Sequence, residues 1–265
     1  KILVEHNITN GIDYLVINGT TAESPTINLF ERELIIKAVV SVNKGRVPLV
    51  LGIGGNDTLN LVEEINSSNL EGISAILSVS PYYNKPTQDG IYEHYKYISN
   101  NTSIPIIIYN VPGRTSKNIL PETTLKLAKN FTSIIGIKEA SGDMDQYLQL
   151  INNKPKDFLI ISGDDDLALS SVSAGGHGVI SVIGQAFPEK FSKMINYALN
   201  KDFSNSRLIH EQLINITSLI FRENNPAGIK SVLHEMNLCS DILRLPLLPV
   251  SENLRSEIIA ELNNF

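Results

Sequence analysis

The chain has 265 residues, of which 42% are hydrophobic and 19% charged, and its formal net charge is −6 at pH 7. This composition is typical of a globular protein with a sizeable core and excludes an intrinsically disordered chain. The acidic balance argues against a nucleic-acid-binding face, and no apolar run reaches the ~20 residues of a membrane span. The single cysteine, Cys239, cannot form an intrachain disulfide, so we expect a cytoplasmic protein with neither a membrane nor a nucleic-acid partner.

Seven short apolar segments, rich in β-branched residues, are predicted to be strands. Each is a nearly continuous apolar run, as is typical of parallel strands that are covered on both faces. Segments with helical periodicity lie between them, for example Glu31–Val42 and Pro121–Lys129. The predicted strands are Tyr14–Ile17, Pro48–Leu51, Ile73–Val79, Pro105–Tyr109, Ile134–Lys138, Phe158–Ile161 and Val179–Val182.

This alternation of strands and helices predicts the α/β class and a (β/α)8 TIM barrel, whose repeat is roughly 30 residues. A doubly wound open sheet is the rival fold. Its dinucleotide-binding turn needs three spaced glycines, and the segment Gly52–Gly55 lacks the third at the right offset. We therefore favour the barrel.

The pattern changes after Pro188, where the predicted strands stop. We interpret residues 1–187 as the barrel and residues 188–265 as a C-terminal helical region. The helices predicted in this region are Glu189–Leu199, Phe203–Phe221, Ile229–Met236 and a last one from about Ser251.

Catalytic residues of TIM barrels lie at the rim where the strands end. The loops after the predicted strands carry hydroxyls, phenols, a guanidinium and an amine, so this rim is the predicted site of chemistry. These loops are Gly19–Ser24, Pro81–Pro86, Tyr109–Thr115, Lys138–Gly142 and Ser162–Asp165.

Lys138 ends the predicted strand Ile134–Lys138 and is the most informative rim residue. Burial disfavours a charged ammonium, and a neutral amine can attack a ketone to form a Schiff base. A lysine at a strand end can also extend its ammonium to water or pair with a neighbour such as Glu139. The position of Lys138 alone favours neither the nucleophile nor the ordinary strand-end lysine.

The other rim groups also have two interpretations each. Tyr109 and Tyr83 can transfer protons, with the Thr20 hydroxyl between them, or can be packing residues. Arg114 can bind a carboxylate, although a lone arginine is most often a surface residue. The run Asp164–Asp166 has no histidine and is more typical of a loop than of a metal site. We therefore predict no metal and no cofactor.

Four motifs, in order along the chain, resemble those of the dihydrodipicolinate synthase family. This family belongs to the pyruvate-dependent class I aldolases, which include N-acetylneuraminate lyase. The resemblance extends from the first residues to about Pro249, and four motifs in one order make it specific. The motifs are Gly19–Ser24, Pro81–Pro86, Tyr109–Thr115 and Ile135–Ala140.

The resemblance implies a lyase that condenses pyruvate with L-aspartate 4-semialdehyde. Lys138 is similar to the lysine that forms the Schiff base with pyruvate. The derived enamine then adds to the aldehyde, and cyclisation gives 4-hydroxy-tetrahydrodipicolinate for diaminopimelate and lysine biosynthesis. The resemblance also implies a homotetramer, a dimer of tight dimers in which Tyr83 reaches the neighbouring subunit's site.

The resemblance assigns roles to the remaining rim residues. Thr20, Tyr109 and Tyr83 match a proton relay, and Thr21 matches the residue that holds the pyruvate carboxylate. Arg114 matches the residue that binds the semialdehyde carboxylate, and sugar-acid lyases lack this arginine. The backbone positions that line the pyruvate pocket match Gly163 and Ile180.

Two features depart from the family and leave alternatives open. The family's first strand has no counterpart, so we expect the natural protein to have a further segment before Lys1. Ala22 stands where the family usually has glycine, in a tight turn. The alternatives are an N-acetylneuraminate lyase-like enzyme acting on a sugar acid, and a barrel that is not catalytic because it lacks a strand.

A lysine-feedback site of the family matches Ser24, Asn56 and Tyr82. The positions that usually carry a histidine and a glutamate are Leu29 and Asn60 here. Loss of the glutamate removes a carboxylate that would pair with the ammonium of the effector. We therefore expect weak or no inhibition by lysine.

Overall fold

The computed structural model describes the whole chain, Lys1–Phe265, and contains a strand at each of the seven predicted places. The strands are β1 Leu15–Ile17, β2 Leu49–Gly52, β3 Ala75–Val79, β4 Ile106–Asn110, β5 Ile134–Glu139, β6 Leu159–Ser162 and β7 Gly178–Val179.

Twelve α-helices accompany these strands, and the predicted helices agree with their counterparts to within about two residues at each end. The helices are α1 Ile2–Thr9, α2 Leu29–Asn43, α3 Thr58–Ser67, α4 Gln88–Asn101, α5 Pro112–Thr115, α6 Pro121–Asn130, α7 Met144–Asn153, α8 Ala168–Ser173, α9 Pro188–Leu199, α10 Phe203–Phe221, α11 Ala227–Glu235 and α12 Glu252–Leu262.

The prediction of the last strand at Val179–Val182 is wrong in its bounds. The strand starts one residue earlier and is only two residues long, Gly178–Val179. The N–H of Ile180 still donates to Ser162 O at 2.8 Å, but the chain then turns and enters a 3-10 helix at Ile183–Gln185. The apolar run of the sequence therefore continues past the end of the ladder, and composition alone does not mark that end.

The chain divides into two compact groups of residues. The first, Pro48–Ile180, contains six parallel strands, β2 to β7, that lie side by side in the order of the sequence. A doubly wound sheet reverses its strand order at a switch point, and this order contains no reversal. The rival fold is therefore excluded, and the observed order is that of a barrel.

Sheet register decides which residues of neighbouring strands lie side by side. Tyr109 on β4 pairs with Lys138 on β5, and Lys138 pairs with Ile161 on β6. Directly paired residues point to the same face, whereas the residues after them point to the opposite face. Tyr109 and Lys138 therefore share one face, and Asn110 and Glu139 share the other.

The opposite face is covered by helices. Tyr95 and Ile98 on α4, and Tyr147 and Leu150 on α7, are fully buried. The hydroxyl of Tyr95 donates to Ser78 O at 2.8 Å and so ties its helix to β3. Helical periodicity thus places apolar and phenolic side chains against the sheet.

The second group, Lys1–Val47 with Ser181–Phe265, is mainly helical. Here α2 begins at a capping box in which Asn28 and Glu31 exchange side-chain to backbone hydrogen bonds. In the C-terminal part, α11 packs so closely on α10 that a Cβ atom on Gly228 would lie 2.0 Å from Ile220 O. No helix combines the length and the apolar character that crossing a bilayer requires. The division into a barrel over 1–187 and a helical region over 188–265 stays a prediction.

Candidate active site

Lys138 is buried at the end of β5, with only 8% of its surface exposed. Its Nζ atom lies 4.2 Å from the centroid of the Tyr109 ring, on the neighbouring strand. Parallel pairing of β4 with β5 produces this contact, because it puts the two residues in register. An amine and a phenol are thus brought together on one face of the sheet.

Gly163, directly after β6, makes room for the lysine side chain. A Cβ atom at this position would lie 2.8 Å from Lys138 Cε and 2.8 Å from Ala140 Cβ. Both distances are below any real Cβ contact, so only glycine fits without a shift of its neighbours. Two of the predicted site residues, Lys138 and Gly163, are therefore in direct contact.

Glu139 turns its carboxyl to the other face, away from Lys138, and is completely buried. The Asn110 side-chain amide donates to its two oxygens at 3.0 and 3.1 Å. The Gln146 amide donates to Oε2 at 2.9 Å and the Ser141 N–H to Oε1 at 2.8 Å. Burial raises the pKa of the Glu139 carboxyl, and these hydrogen bonds partly oppose that rise. The possible pairing of Glu139 with Lys138 is therefore wrong.

Helix α7, which carries Gln146, also contacts the end of β6. The Tyr147 hydroxyl on α7 donates to the backbone oxygen of Glu139 and lies 3.0 Å from Ser162 Oγ. Asn110 follows Tyr109, Glu139 follows Lys138, and Ser162 precedes Gly163. Tyr109, Lys138 and Gly163 thus each have a chain neighbour that belongs to a polar network on the other face of the sheet. We call this network the rear network; it consists of Asn110, Glu139, Gln146, Tyr147 and Ser162.

Asp164 is a further acidic group near the amine. Burial raises the pKa of its carboxyl, while the Gly142 N–H, which donates to Oδ2 at 3.2 Å, and the charge of Lys138 oppose that rise. No group of three His, Cys, Asp or Glu side chains has an arrangement that could hold a metal ion.

Two other predicted residues of Pro48–Ile180 lie at the ends of their strands. Arg114 is exposed on the short helix α5, which starts two residues after β4. Ile180 donates its N–H to Ser162 O at 2.8 Å, and Ser162 is the residue before Gly163. Both residues belong to segments that follow strand ends; the sequence predicted this for Arg114 but placed Ile180 inside the last strand.

Tyr83 and Tyr82 lie in the loop after β3. Tyr83 is 89% exposed and has a positive φ of 71°, which is unusual for a bulky residue. Tyr82 accepts a hydrogen bond from Asn56 Nδ2 at 3.0 Å through its backbone oxygen. The structure therefore joins Asn56 and Tyr82, and leaves the Tyr83 phenol turned to solvent within this chain.

Thr20, Thr21 and Ala22 form a 3-10 turn after β1, and Ser24 begins a second such turn. The Thr21 Oγ1 accepts a hydrogen bond at 3.0 Å from the Asn225 side-chain amide, which belongs to the C-terminal region. Glu23 between the turns has a positive φ of 56°. No local pattern indicates Asn225 as a site residue, because it lies 204 residues from the residue that it contacts.

Comparison with known proteins agrees with this geometry. The model of the dihydrodipicolinate synthetase family matches residues 1–264. A 4-hydroxy-tetrahydrodipicolinate synthase of Flavobacterium psychrophilum is 50% identical over 97% of this chain and 88% of its own length. The crystal structure of the dihydrodipicolinate synthase of Thermotoga maritima is 37% identical, with a TM-score of 0.97 over 99% of this chain and 90% of that one. The chloride-inhibited dihydrodipicolinate synthase of Acinetobacter baumannii, complexed with pyruvate, is 36% identical, with a TM-score of 0.95 over 99% and 90% of the two chains.

Replacing Gly163 by alanine tests the contact with Lys138. The new methyl group overlaps Lys138 Cε and Ala140 Cβ, so we expect the amine to move and borohydride trapping of a pyruvate adduct to slow by roughly tenfold or more. Gly55→Ala is the matched control, because no atom lies within 4 Å of the position of its added Cβ. Trapping at the wild-type rate in a folded Gly163→Ala variant would contradict the assigned contact.

Replacing Glu139 by glutamine tests the rear network. Both carboxyl oxygens accept N–H donors, so the new amide nitrogen faces a donor in either orientation. A buried unpaired donor costs about 1–3 kcal/mol, and we expect a lower melting temperature together with slower adduct formation at Lys138. Glu122→Gln, an exposed position on α6, is the control. Unchanged stability and trapping would refute the idea that this network supports the site.

Proposed function

The chain belongs to the dihydrodipicolinate synthetase family, and on this premise we propose that Lys138 is the amine that performs the family's chemistry. The chain is a lyase that condenses pyruvate with L-aspartate 4-semialdehyde to give 4-hydroxy-tetrahydrodipicolinate. It has the TIM-barrel type of fold, with helices at its C-terminal end. Its product is used in diaminopimelate and lysine biosynthesis.

The reaction begins when the Lys138 amine attacks the keto carbon of pyruvate. Loss of water gives an imine, and loss of a methyl proton converts the imine to an enamine. The enamine carbon forms a bond to the aldehyde carbon of the semialdehyde, whose oxygen takes up a proton. The amine of the semialdehyde then attacks the imine carbon, closes the ring and releases Lys138.

The contact of Lys138 with Tyr109 is the observation that carries this assignment. Lys138 is 8% exposed, and its Nζ lies 4.2 Å from the centroid of the Tyr109 ring, at the end of a strand. Its own strand, its neighbour on β4 and Gly163 fix its position from three sides. A reactive group held in this way loses little entropy when it meets its substrate.

For the other site residues we propose the roles that the family resemblance implies, and the chemistry of each side chain suits its role. Tyr109 is the phenol that transfers protons to and from the bound substrate, in a relay with Thr20 and the Tyr83 of a neighbouring subunit. Thr21 holds the pyruvate carboxylate with its hydroxyl. Arg114 binds the carboxylate of the semialdehyde through its guanidinium fork. Gly163 and Ile180 line the pyruvate pocket with backbone groups.

Self-association and location belong to the same proposal. Tyr83 is 89% exposed and has a positive φ, which supports a role for its phenol outside its own chain. We infer a homotetramer made of two tight dimers. A single free cysteine, Cys239, fits a cytoplasmic location.

Borohydride trapping with mass mapping tests the assignment of Lys138. Incubation with pyruvate and borohydride is expected to add a reduced pyruvate unit to Lys138 and to leave Lys190, on α9, unmodified. Lys138→Arg keeps the charge but cannot form the imine, so its turnover should fall by about a thousandfold or more. Folded protein with an unmodified Lys138 would overturn the proposal.

The variant Arg114→Ala, examined by the same trapping assay, tests whether Arg114 binds the second substrate of the synthase. This distinguishes the synthase from a sugar-acid lyase. The pyruvate adduct on Lys138 should form at the wild-type rate, because Arg114 binds the second substrate. The KM for aspartate semialdehyde should rise by roughly tenfold or more. Turnover of N-acetylneuraminate in preference to the semialdehyde would favour the alternative function.

We propose that lysine binds weakly, or not at all, at the feedback site of this chain. Ser24, Asn56 and Tyr82 are its retained positions, and Asn56 bonds to the backbone of Tyr82. Asn60, which stands where sensitive relatives carry a glutamate, donates its amide to Asp57 Oδ2 at 2.8 Å. That side chain supports the start of α3 and offers no carboxylate to an ammonium group.

Titration with lysine tests this proposal. We expect no inhibition of turnover at submillimolar lysine. The double variant Leu29→His with Asn60→Glu is the matched gain-of-function test, because it restores the imidazole and the carboxylate. Strong inhibition of the unmodified chain would contradict the expectation.

A further inference from the structure

A hydrogen bond joins the turn after β1 to the region that precedes α11. The side-chain amide of Asn225 donates to Thr21 Oγ1, with an Nδ2 to Oγ1 distance of 3.0 Å. Both residues are half-buried, and 204 positions separate them in the sequence. Asn225 lies two residues before α11, which starts at Ala227.

The direction of this bond determines what the threonine can do. A side-chain amide nitrogen has hydrogens and no lone pair to share, so it can only donate. The Thr21 oxygen is therefore the acceptor, and the single hydrogen of its hydroxyl points away from Asn225. A hydroxyl held in this way is prepared to donate to an anion.

We propose that Asn225 is a positioning residue that aims the Thr21 hydroxyl at the carboxylate of pyruvate. The proposal rests on the assigned role of Thr21 and adds the group that orients it. Without the amide, the hydroxyl can rotate and donate elsewhere, so the carboxylate loses a prepared donor. Asn225 thus contributes to pyruvate affinity without touching pyruvate.

A second set of contacts holds the same turn in place. Lys230 on α11 donates to Glu23 Oε1 at 2.8 Å, and the side chains are only 21% and 13% exposed. The backbone N–H of Arg244 donates to Glu23 Oε2, also at 2.8 Å. The start of α11 therefore holds the turn at Thr21 and again at Glu23, which fixes the position of the hydroxyl as well as its direction.

A double-mutant cycle tests the proposal. Asn225→Ala and Thr21→Val are each expected to raise the KM for pyruvate by roughly tenfold, as expected for the loss of a hydrogen bond to a charged group. In Asn225→Ala, the value of kcat at saturating pyruvate and the KM for the semialdehyde should change little. Because Asn225 acts through Thr21, Asn225→Ala should have no further effect in the Thr21→Val background.

Two further variants separate orientation from structure. Asn225→Asp keeps the shape but cannot donate, so it accepts the Thr21 hydrogen and should raise the pyruvate KM more than alanine does. Asn224→Ala is the matched control, since it removes a hydrogen bond to the Ala227 N–H at the same helix start. It should leave the pyruvate KM unchanged, and melting temperatures report any loss of fold.

Each outcome has a distinct meaning. If Thr21→Val leaves the pyruvate KM unchanged, the assigned role of Thr21 fails. If Thr21→Val raises the KM but Asn225→Ala does not, or if the two effects add, the inference about Asn225 is wrong. If Asn225→Asp behaves like the wild type, or if Asn224→Ala raises the KM equally, the inference is also overturned.

Discussion

The rest of the site depends on the hydrogen bonds that the buried carboxyl of Glu139 accepts. This carboxyl sits between the sheet and α7, fully removed from solvent, and neutral donors from Asn110, Gln146 and Ser141 satisfy it. A buried carboxyl is costly unless its oxygens are hydrogen-bonded, so these donors must keep their places. The ends of β4 and β5 are therefore held together from behind.

This arrangement also determines the positions of the residues on the other face of the sheet, which carries Tyr109 and Lys138. Successive residues of a strand point to opposite faces, so fixing Asn110 and Glu139 also fixes Tyr109 and Lys138. Tyr147 extends the same constraint to β6, through Ser162 and the Glu139 backbone. The rear network therefore holds the backbone that carries Lys138, while Tyr109 and Gly163 contact its side chain.

The C-terminal helices hold the turn after β1 in place in a comparable way. This turn has little regular structure of its own, and Glu23 within it has a left-handed backbone conformation. Lys230 and Asn225 reach it from the start of α11, and Arg244 adds a backbone bond to Glu23 and a side-chain bond to Thr26 O at 2.7 Å. The start of α11 therefore holds the loop that carries Thr20 and Thr21.

The sequence by itself determined the places of the seven strands, six of the twelve α-helices and the rim motifs, because apolar runs and turn residues are local signals. It placed Lys138 and Tyr109 at strand ends, and these two residues are in contact. Only the tertiary structure decided that Glu139 faces away from Lys138 and that Asn225 contacts Thr21. It also decided that β7 ends at Val179. Periodicity reports which residues are buried, whereas hydrogen bonds between distant segments depend on how the chain brings those segments together.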